Sequence, residues 1–257
     1  MLYLSCCTWA LSNPVETALT QLAASGFSWI DTRPHVLDLQ TTPLPHGLRS
    51  SCVAASFGLE PGDDLASDDP AAAQRAAAFV AAALDYTAAS GAATAYLVPG
   101  KEADAGTLKR YADALAPLAA YAAQLQVRLC LEHFPGTILP TVAATLDLID
   151  QIGHDNLYLL FDIGHAQIAN EEPTAALEAA GPRLGYVHLD DNDGQGDLHL
   201  GLLEGVLTLE TLRHTLKTLA DLDYDSGVSL EFNSNLPDPL GSLRRSRALV
   251  ADIAAWA

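Results

Sequence analysis

Four polar side chains in the second half of the chain each stand at or near the end of a short apolar run. They are Glu132 in LCLEHF, Asp162 in YLLFDIGH, His188 in GYVHLD and Glu231 in GVSLEFN. Carboxylates brought to one place repel one another unless a cation compensates their charge. Three oxygen donors and one nitrogen favour Mn²⁺, Mg²⁺ or Co²⁺ and allow Zn²⁺. Each residue alone could be a strand-end cap or a paired core carboxylate, but four in consecutive strands predict one divalent metal site.

The elements that must position these residues alternate regularly along the chain. Eight apolar runs predict strands, and helical patterns lie between most of them; the strands are residues 2–7, 27–30, 48–57, 92–98, 127–132, 157–162, 184–189 and 228–232. Several runs are almost continuously apolar, as parallel strands covered on both faces are. Eight such units predict an α/β fold, a (β/α)8 TIM barrel, whose strand C-termini meet on one face.

An open, doubly wound sheet is the rival arrangement. It predicts a glycine-rich phosphate loop after the first strand, where this chain reads CCTWALSNP. No linker of disordered composition interrupts the 257 residues. We therefore expect one barrel domain over residues 1–257.

Composition excludes several partners. The formal net charge is −19 with 13 Lys+Arg, which disfavours binding to nucleic acid or to an acidic membrane surface. No apolar run is long enough to span a membrane, and the N-terminus lacks the charged region of a signal peptide. The four cysteines lie in apolar runs without CxxC spacing, which predicts reduced core residues in a cytoplasmic protein.

The motifs LEHF, FDIGHA, VHLDDNDGQGDLHLGLLEG and LEFN resemble those of the xylose isomerase-like TIM barrels. This group contains sugar isomerases and epimerases, inositol-catabolism dehydratases and apurinic endonucleases. The resemblance is strong over residues 127–233 and vaguer before them. It implies that Glu132, Asp162, His188 and Glu231 hold one divalent metal ion, and that His165 and His199 contact substrate oxygens.

Residues matching His165, Asp197 and His199 hold a third metal ion in the endonuclease branch. That branch also uses histidines on the third and fourth strands, where this chain reads SSCVAASF and TAYLVPG, without histidine at either end. Together with the acidic charge, this disfavours DNA repair. We assign Asp197 to the substrate-binding group. Trp9, after the first strand, could floor a sugar pocket or be an ordinary half-buried aromatic.

These observations predict a metal-dependent isomerase or epimerase for a sugar, sugar phosphate or polyol ketone. The metal would chelate a carbonyl and its adjacent hydroxyl and stabilise the enediolate formed when the α-proton leaves. Glu132 and Glu231 would remove and return that proton on opposite faces.

Two other classes stay open. A dehydratase or lyase would share the first step and then expel a β-substituent. A barrel retained only for binding would have no need of four converging ligands. Substrate identity, metal identity and oligomeric state, a homo-oligomer included, are not determined by the sequence.

Overall fold

One parallel sheet forms the centre of the computed structural model, which describes residues 3–37, 44–101 and 104–253. Within these ranges eight strands pair in the order β1-β8-β7-β6-β5-β4-β3-β2. They are β1 Tyr3–Cys6, β2 Trp29–Thr32, β3 Arg49–Ala54, β4 Thr94–Leu97, β5 Arg128–Glu132, β6 Leu157–Asp162, β7 Leu184–Leu189 and β8 Gly227–Leu230. The first and last strands of this order meet through a parallel bridge between Cys7 and Asp31. The sheet therefore closes, and the predicted (β/α)8 barrel is confirmed.

Helices connect most of the strands. They are α1 Val15–Ala24, α2 Pro70–Ser90, α3 Thr107–Gln124, α4 Val142–Ile152, α5 Ile163–Ala169, α6 Pro173–Ala180, α7 Leu209–Asp221 and α8 Pro239–Ile253. Between β2 and β3 the described residues form a 3-10 turn, Pro45–Gly47, and no α-helix. Across the described ranges, no helix combines the length and apolar character that crossing a membrane requires. The domain boundary at residues 1–257 stays a prediction.

Helix α5 is the element that the sequence pattern misses. It begins directly after Asp162, whose side chain accepts a hydrogen bond from the backbone N–H of His165 at 2.8 Å. Such an N-cap stabilises a helix by about 1 kcal/mol. The connection between β6 and β7 therefore contains two helices, and the first of them places His165 beside the end of β6.

The strands divide the apolar core into two layers. A large cluster fills the space between the sheet and the surrounding helices. A smaller one comprises Cys52, Ala54, Tyr96, Cys130, Leu160 and Tyr186, which alternate with the outward-facing residues of their strands. All four cysteines are buried and free, as predicted for core residues.

The four predicted ligands lie at the same end of this barrel. Glu132 and Asp162 are the last residues of β5 and β6, His188 is the last but one of β7, and Glu231 follows β8 directly. The strand register pairs Asp162 with His188, and His188 with Ser229. Because side chains alternate along a strand, Glu231, two residues beyond Ser229, faces the same interior.

Candidate active site

Glu132, Asp162, His188 and Glu231 converge at the C-terminal end of the barrel. Each offers one ligand atom, and these four atoms all lie within 4.8 Å of one another. The most exposed of the four residues, Glu231, has only 6% of its surface accessible. His188 turns its Nδ1 atom toward all three carboxylates, at 2.6 Å from Glu231 Oε2, 3.7 Å from Glu132 Oε1 and 3.8 Å from Asp162 Oδ2.

The donor atoms of this cluster fit a divalent cation. Buried polar atoms in proteins almost always have a hydrogen-bond partner. Here Asp162 Oδ2 and both ring nitrogens of His188 have none among the described residues. The short contact between His188 and Glu231 also lacks hydrogen-bond geometry, although its atoms are 2.6 Å apart. Three carboxylates and one imidazole, with unpartnered atoms on Asp162 and His188, form a suitable ligand set.

The two glutamates have different electrostatic surroundings. Burial raises the pKa of Glu132, and the neighbouring His188 and His165 offset only part of that effect. Burial also opposes ionisation of Glu231, but attraction to His188 and a hydrogen bond from Trp9 outweigh it and lower its pKa to about 2. Burial likewise disfavours the charged form of His188, yet its carboxylate neighbours, Glu231 first, hold its pKa well above the ordinary value.

A second group borders the first on the side of β6 and β7. His165 Nε2 lies 3.4 Å from Asp197 Oδ1, and His199 Nε2 lies 3.1 Å from the same oxygen. His165 Nδ1 is also 3.8 Å from Glu132 Oε1, so the two groups are contiguous. Burial disfavours protonated His165, but Asp162 and Asp197 raise its pKa to about 10. The structure thus brings His165, Asp197 and His199 together, as their sequence motif predicts.

Trp9 lies in a 3-10 turn, Thr8–Ala10, just after β1. Its indole N–H donates to Glu231 Oε1 at 2.9 Å, so it touches one of the four predicted metal ligands directly. Its ring stacks against Phe57 with 5.8 Å between centroids, and the Arg33 guanidinium lies 5.3 Å from the Trp9 ring. Trp9 is therefore a wall of the site, partly covered by Arg33. Its role toward substrate stays a prediction.

Three buried residues of the site escape the sequence analysis. Asp31 is fully buried, and its Oδ2 atom lies 3.7 Å from His188 Nε2. Asp190 is also fully buried, with Oδ2 2.7 Å from His199 Nδ1, and burial raises its pKa to about 7. His133 points away from the ligand group, as strand alternation predicts, but it is buried and its Nε2 atom accepts from the backbone N–H of Asp162 at 3.1 Å.

A usable signal existed for one of these three. Asp31 follows an apolar run, like the four predicted ligands, so the same strand-end rule identifies it. Asp190 belongs to the run DDND, whose composition is that of a solvated loop. Its burial depends on the packing of that loop against α5, where Asn192 donates to the carbonyl of Gly164 at 2.8 Å.

Comparisons with known proteins agree with this geometry. The profile of the xylose isomerase-like TIM barrel family matches residues 19–253. An L-ribulose 3-epimerase from Methylomonas sp. (strain DH-1) is 28% identical over 249 residues, which cover 90% of this chain and 82% of that protein. An inosose dehydratase from Yersinia enterocolitica is 37% identical over 86 residues. These cover 32% of this chain and 28% of that protein.

A solved structure of an L-ribulose 3-epimerase superposes with a TM-score of 0.82 at 23% identity, covering 98% of this chain and 94% of that one. This likeness concerns the fold. The family match spans nearly the whole barrel, including the four strand ends that carry the site. The chain belongs to the xylose isomerase-like TIM barrel family.

Proposed function

We propose that the protein is a divalent-metal-dependent sugar epimerase that inverts a carbon next to the carbonyl of a ketose. The observation that carries this proposal is the convergence of four buried side chains, Glu132, Asp162, His188 and Glu231. Asp162 and His188 have donor atoms without a hydrogen-bond partner among the described residues. Several relatives of comparable length are named as 3-epimerases of L-ribulose or D-psicose. Their names support a ketose as the substrate class.

The four side chains would hold one Mn²⁺, Mg²⁺ or Co²⁺ ion, with Zn²⁺ as a further candidate. When bound, this ion supplies positive charge that polarises the ketose carbonyl and its neighbouring hydroxyl and stabilises negative charge on oxygen. Asp162 is the poorest candidate for a base. Its Oδ1 atom is already engaged by the backbone of His165, and its side chain is shorter than that of either glutamate.

Glu132 and Glu231 are the residues that would move the proton. One carboxylate removes the hydrogen of the α-carbon as a proton, and the C–H electron pair shifts into a C=C bond as the carbonyl oxygen becomes an oxyanion. The other glutamate, in its acid form, returns a proton to the opposite face of that carbon, and the carbonyl re-forms. The two residues are placed on β5 and just after β8, with His188 between them.

The remaining residues would bind and orient the sugar. His165 and His199 share Asp197, which limits rotation of both rings and leaves them at the edge of the ligand group. Trp9 fixes Glu231 through its N–H donor and closes the β1 side against water. Exclusion of water strengthens each of these polar contacts.

The test uses the protein loaded with Mn²⁺ and a panel of ketoses that includes L-ribulose and D-psicose, in deuterated water. An epimerase should form the C3 epimer and place one solvent deuterium on the inverted carbon. Product without solvent deuterium, in a substrate shown not to shield its proton from exchange, would rule out the two-glutamate scheme. Failure of the whole panel with metal bound would remove the ketose assignment.

A dehydratase is the second candidate, supported by the inosose dehydratase match over one third of the chain. It would begin with the same proton removal and then expel a β-hydroxyl as water. The same incubations distinguish it, because loss of water changes the product mass by about 18 Da, whereas epimerisation leaves the mass unchanged apart from deuterium.

A further inference from the structure

One buried carboxylate lies next to the ligand group and has no part in the scheme above. Asp31, at the closure between β1 and β2, is fully buried. Its Oδ1 atom accepts hydrogen bonds from Ser5 Oγ at 2.6 Å and Tyr186 Oη at 2.7 Å. Its Oδ2 atom faces the other way, 3.7 Å from His188 Nε2 and 3.8 Å from Cys7 Sγ. Burial of a charged carboxylate costs free energy unless hydrogen bonds or an opposite charge compensate it.

The two ring nitrogens of His188 face different groups. Nδ1 faces the three predicted carboxylate ligands, whereas Nε2 faces Asp31. The rings of Tyr96 and Tyr186 meet the imidazole edge-on, with centroids 5.2 and 5.7 Å away, and restrict its rotation. The ring therefore cannot exchange its two nitrogens without disturbing the barrel interior.

We propose that Asp31 is a positioning residue that accepts a hydrogen bond from the Nε2–H of His188 and so holds Nδ1 facing the cation. A histidine that binds a metal commonly donates its other N–H to a carboxylate, which fixes its tautomer and orientation. The inference rests on the metal centre of the proposed function. Because 3.7 Å exceeds a hydrogen bond, the imidazole must approach Asp31 by on the order of 1 Å when Nδ1 engages the metal.

The surroundings hold Asp31 in position for this role. Tyr186 Oη, a donor to Asp31, also contacts Ser51 Oγ, which in turn donates to Tyr3 Oη at 3.2 Å. A Cβ atom on Gly227 would lie 2.6 Å from the Tyr186 ring, so glycine leaves the space in which that ring lies. Two donors on Oδ1 leave Oδ2 as the oxygen for His188. The network thus extends from Tyr3 in β1 to His188, one of the four predicted ligands.

The experiment compares metal affinity in Asp31→Ala, Asp31→Asn and the unaltered protein, with Co²⁺ or Mn²⁺ and a competing chelator. Loss of such a carboxylate typically weakens metal binding by about 10- to 100-fold, which is the result expected for Asp31→Ala. Asparagine keeps an acceptor oxygen without the charge, so the metal affinity of Asp31→Asn should lie between that of Asp31→Ala and that of the unaltered protein. Thr32→Val, on the opposite face of the same strand, is the control for packing and should bind like the unaltered protein.

A spectroscopic readout separates positioning from general stability. With Co²⁺ bound, the Nε2 proton of a ligating histidine gives a strongly shifted NMR resonance, which ¹⁵N-histidine labelling identifies. Protected by Asp31, this proton should exchange slowly with water; in Asp31→Ala its resonance should broaden or vanish at saturating Co²⁺. An unchanged resonance and affinity in folded Asp31→Ala would overturn the inference.

A second variant tests the same role when the first one cannot be studied. If Asp31→Ala does not fold, the double variant Ser5→Ala/Tyr186→Phe decides, because it keeps the carboxylate and removes both donors to Oδ1. Weaker metal binding and faster exchange of the Nε2 proton would support the role of Asp31, and unaltered values would overturn it. Absence of metal binding in the unaltered protein would instead contradict the proposed function itself.

Discussion

The two halves of the barrel mouth carry different chemistry. Strands β5 to β8 bring three carboxylates and one imidazole together, with two more histidines at their border. After β1, β3 and β4 the chain instead supplies aromatic and apolar residues, namely Trp9, Phe57 and Val98. A cavity of about 310 Å³ adjoins β3 and β4, lined by Ser56, Phe57, Leu59, Asp64, Leu65, Val98, Gly100 and Tyr111. Under the proposed function, the β5–β8 half would supply the reacting groups, and the β1–β4 half would supply the surface that selects the substrate.

The largest effect should come from the ligands themselves. The purified protein should hold about one divalent ion per chain, and Asp162→Ala or His188→Ala should lose most of it, because a buried site with one donor removed leaves the other charges uncompensated. Elemental analysis after dialysis measures this. Equal metal content in the unaltered protein and both variants would show that the β5–β8 half is not a metal site.

Glu132→Gln and Glu231→Gln should reduce proton exchange at the reacting carbon by about 10²- to 10⁴-fold, the usual contribution of a general acid or base. Glutamine keeps the shape and one donor oxygen, so metal content should fall far less than exchange does. NMR measures the rate of deuterium incorporation, and elemental analysis measures the metal content. Loss of exchange in strict proportion to loss of metal would argue that these residues are ligands alone.

His165→Gln and His199→Gln should each lower kcat/KM by about 10- to 100-fold. This is the expected effect of losing one hydrogen bond to a charged group, which contributes about 1.5–3 kcal/mol. Bound metal should stay at the level of the unaltered protein. Steady-state kinetics with a metal assay tests this expectation. Release of one additional metal equivalent by either variant would favour a multi-metal site built on Asp197.

The smallest effect should lie in the β1–β4 half. Phe57→Leu removes a ring stacked on Trp9 and should raise KM by about 2- to 10-fold, since an aromatic pair is worth about 0.5–1.5 kcal/mol. kcat and bound metal should hardly change. A panel of ketoses that differ at the carbons remote from the carbonyl measures the change in preference. A loss of kcat equal to that of the glutamate variants would remove the distinction between the two halves.

Strand-end chemistry was readable from the sequence because parallel strands are nearly continuous in apolar residues. A carboxylate that ends such a run, as Glu132 and Asp162 do, stands out against it, and closure of the barrel then fixes where it lies. The reduced cysteines followed from the same runs. The first four strands offered less, since a phenylalanine or tryptophan after a strand is ordinary in sequence and gains meaning only through its neighbours.

The remaining features depend on contacts between distant segments. Asp190 occurs in a polar run, and its burial requires α5, where a Cβ atom on Gly164 would lie 2.2 Å from Asp190 Oδ1. Helix α5 has seven residues and begins at a strand end, so neither its length nor its period distinguishes it from a loop. Local patterns therefore locate the predicted ligands, whereas tertiary packing determines which acidic residues accompany them.

Asp162 divides its two oxygens between different tasks. Oδ1 caps helix α5. Oδ2 faces the other predicted ligands and has no hydrogen-bond partner among the described residues. In the proposed metal site, metal loading and the local opening of α5 would be thermodynamically linked, because both act on the side chain of Asp162. Amide hydrogen exchange in α5 should slow when metal is added, even though most of the helix lies outside the ligand set. Asp162→Asn, which retains a capping oxygen, should keep the helix protected and abolish this response to metal.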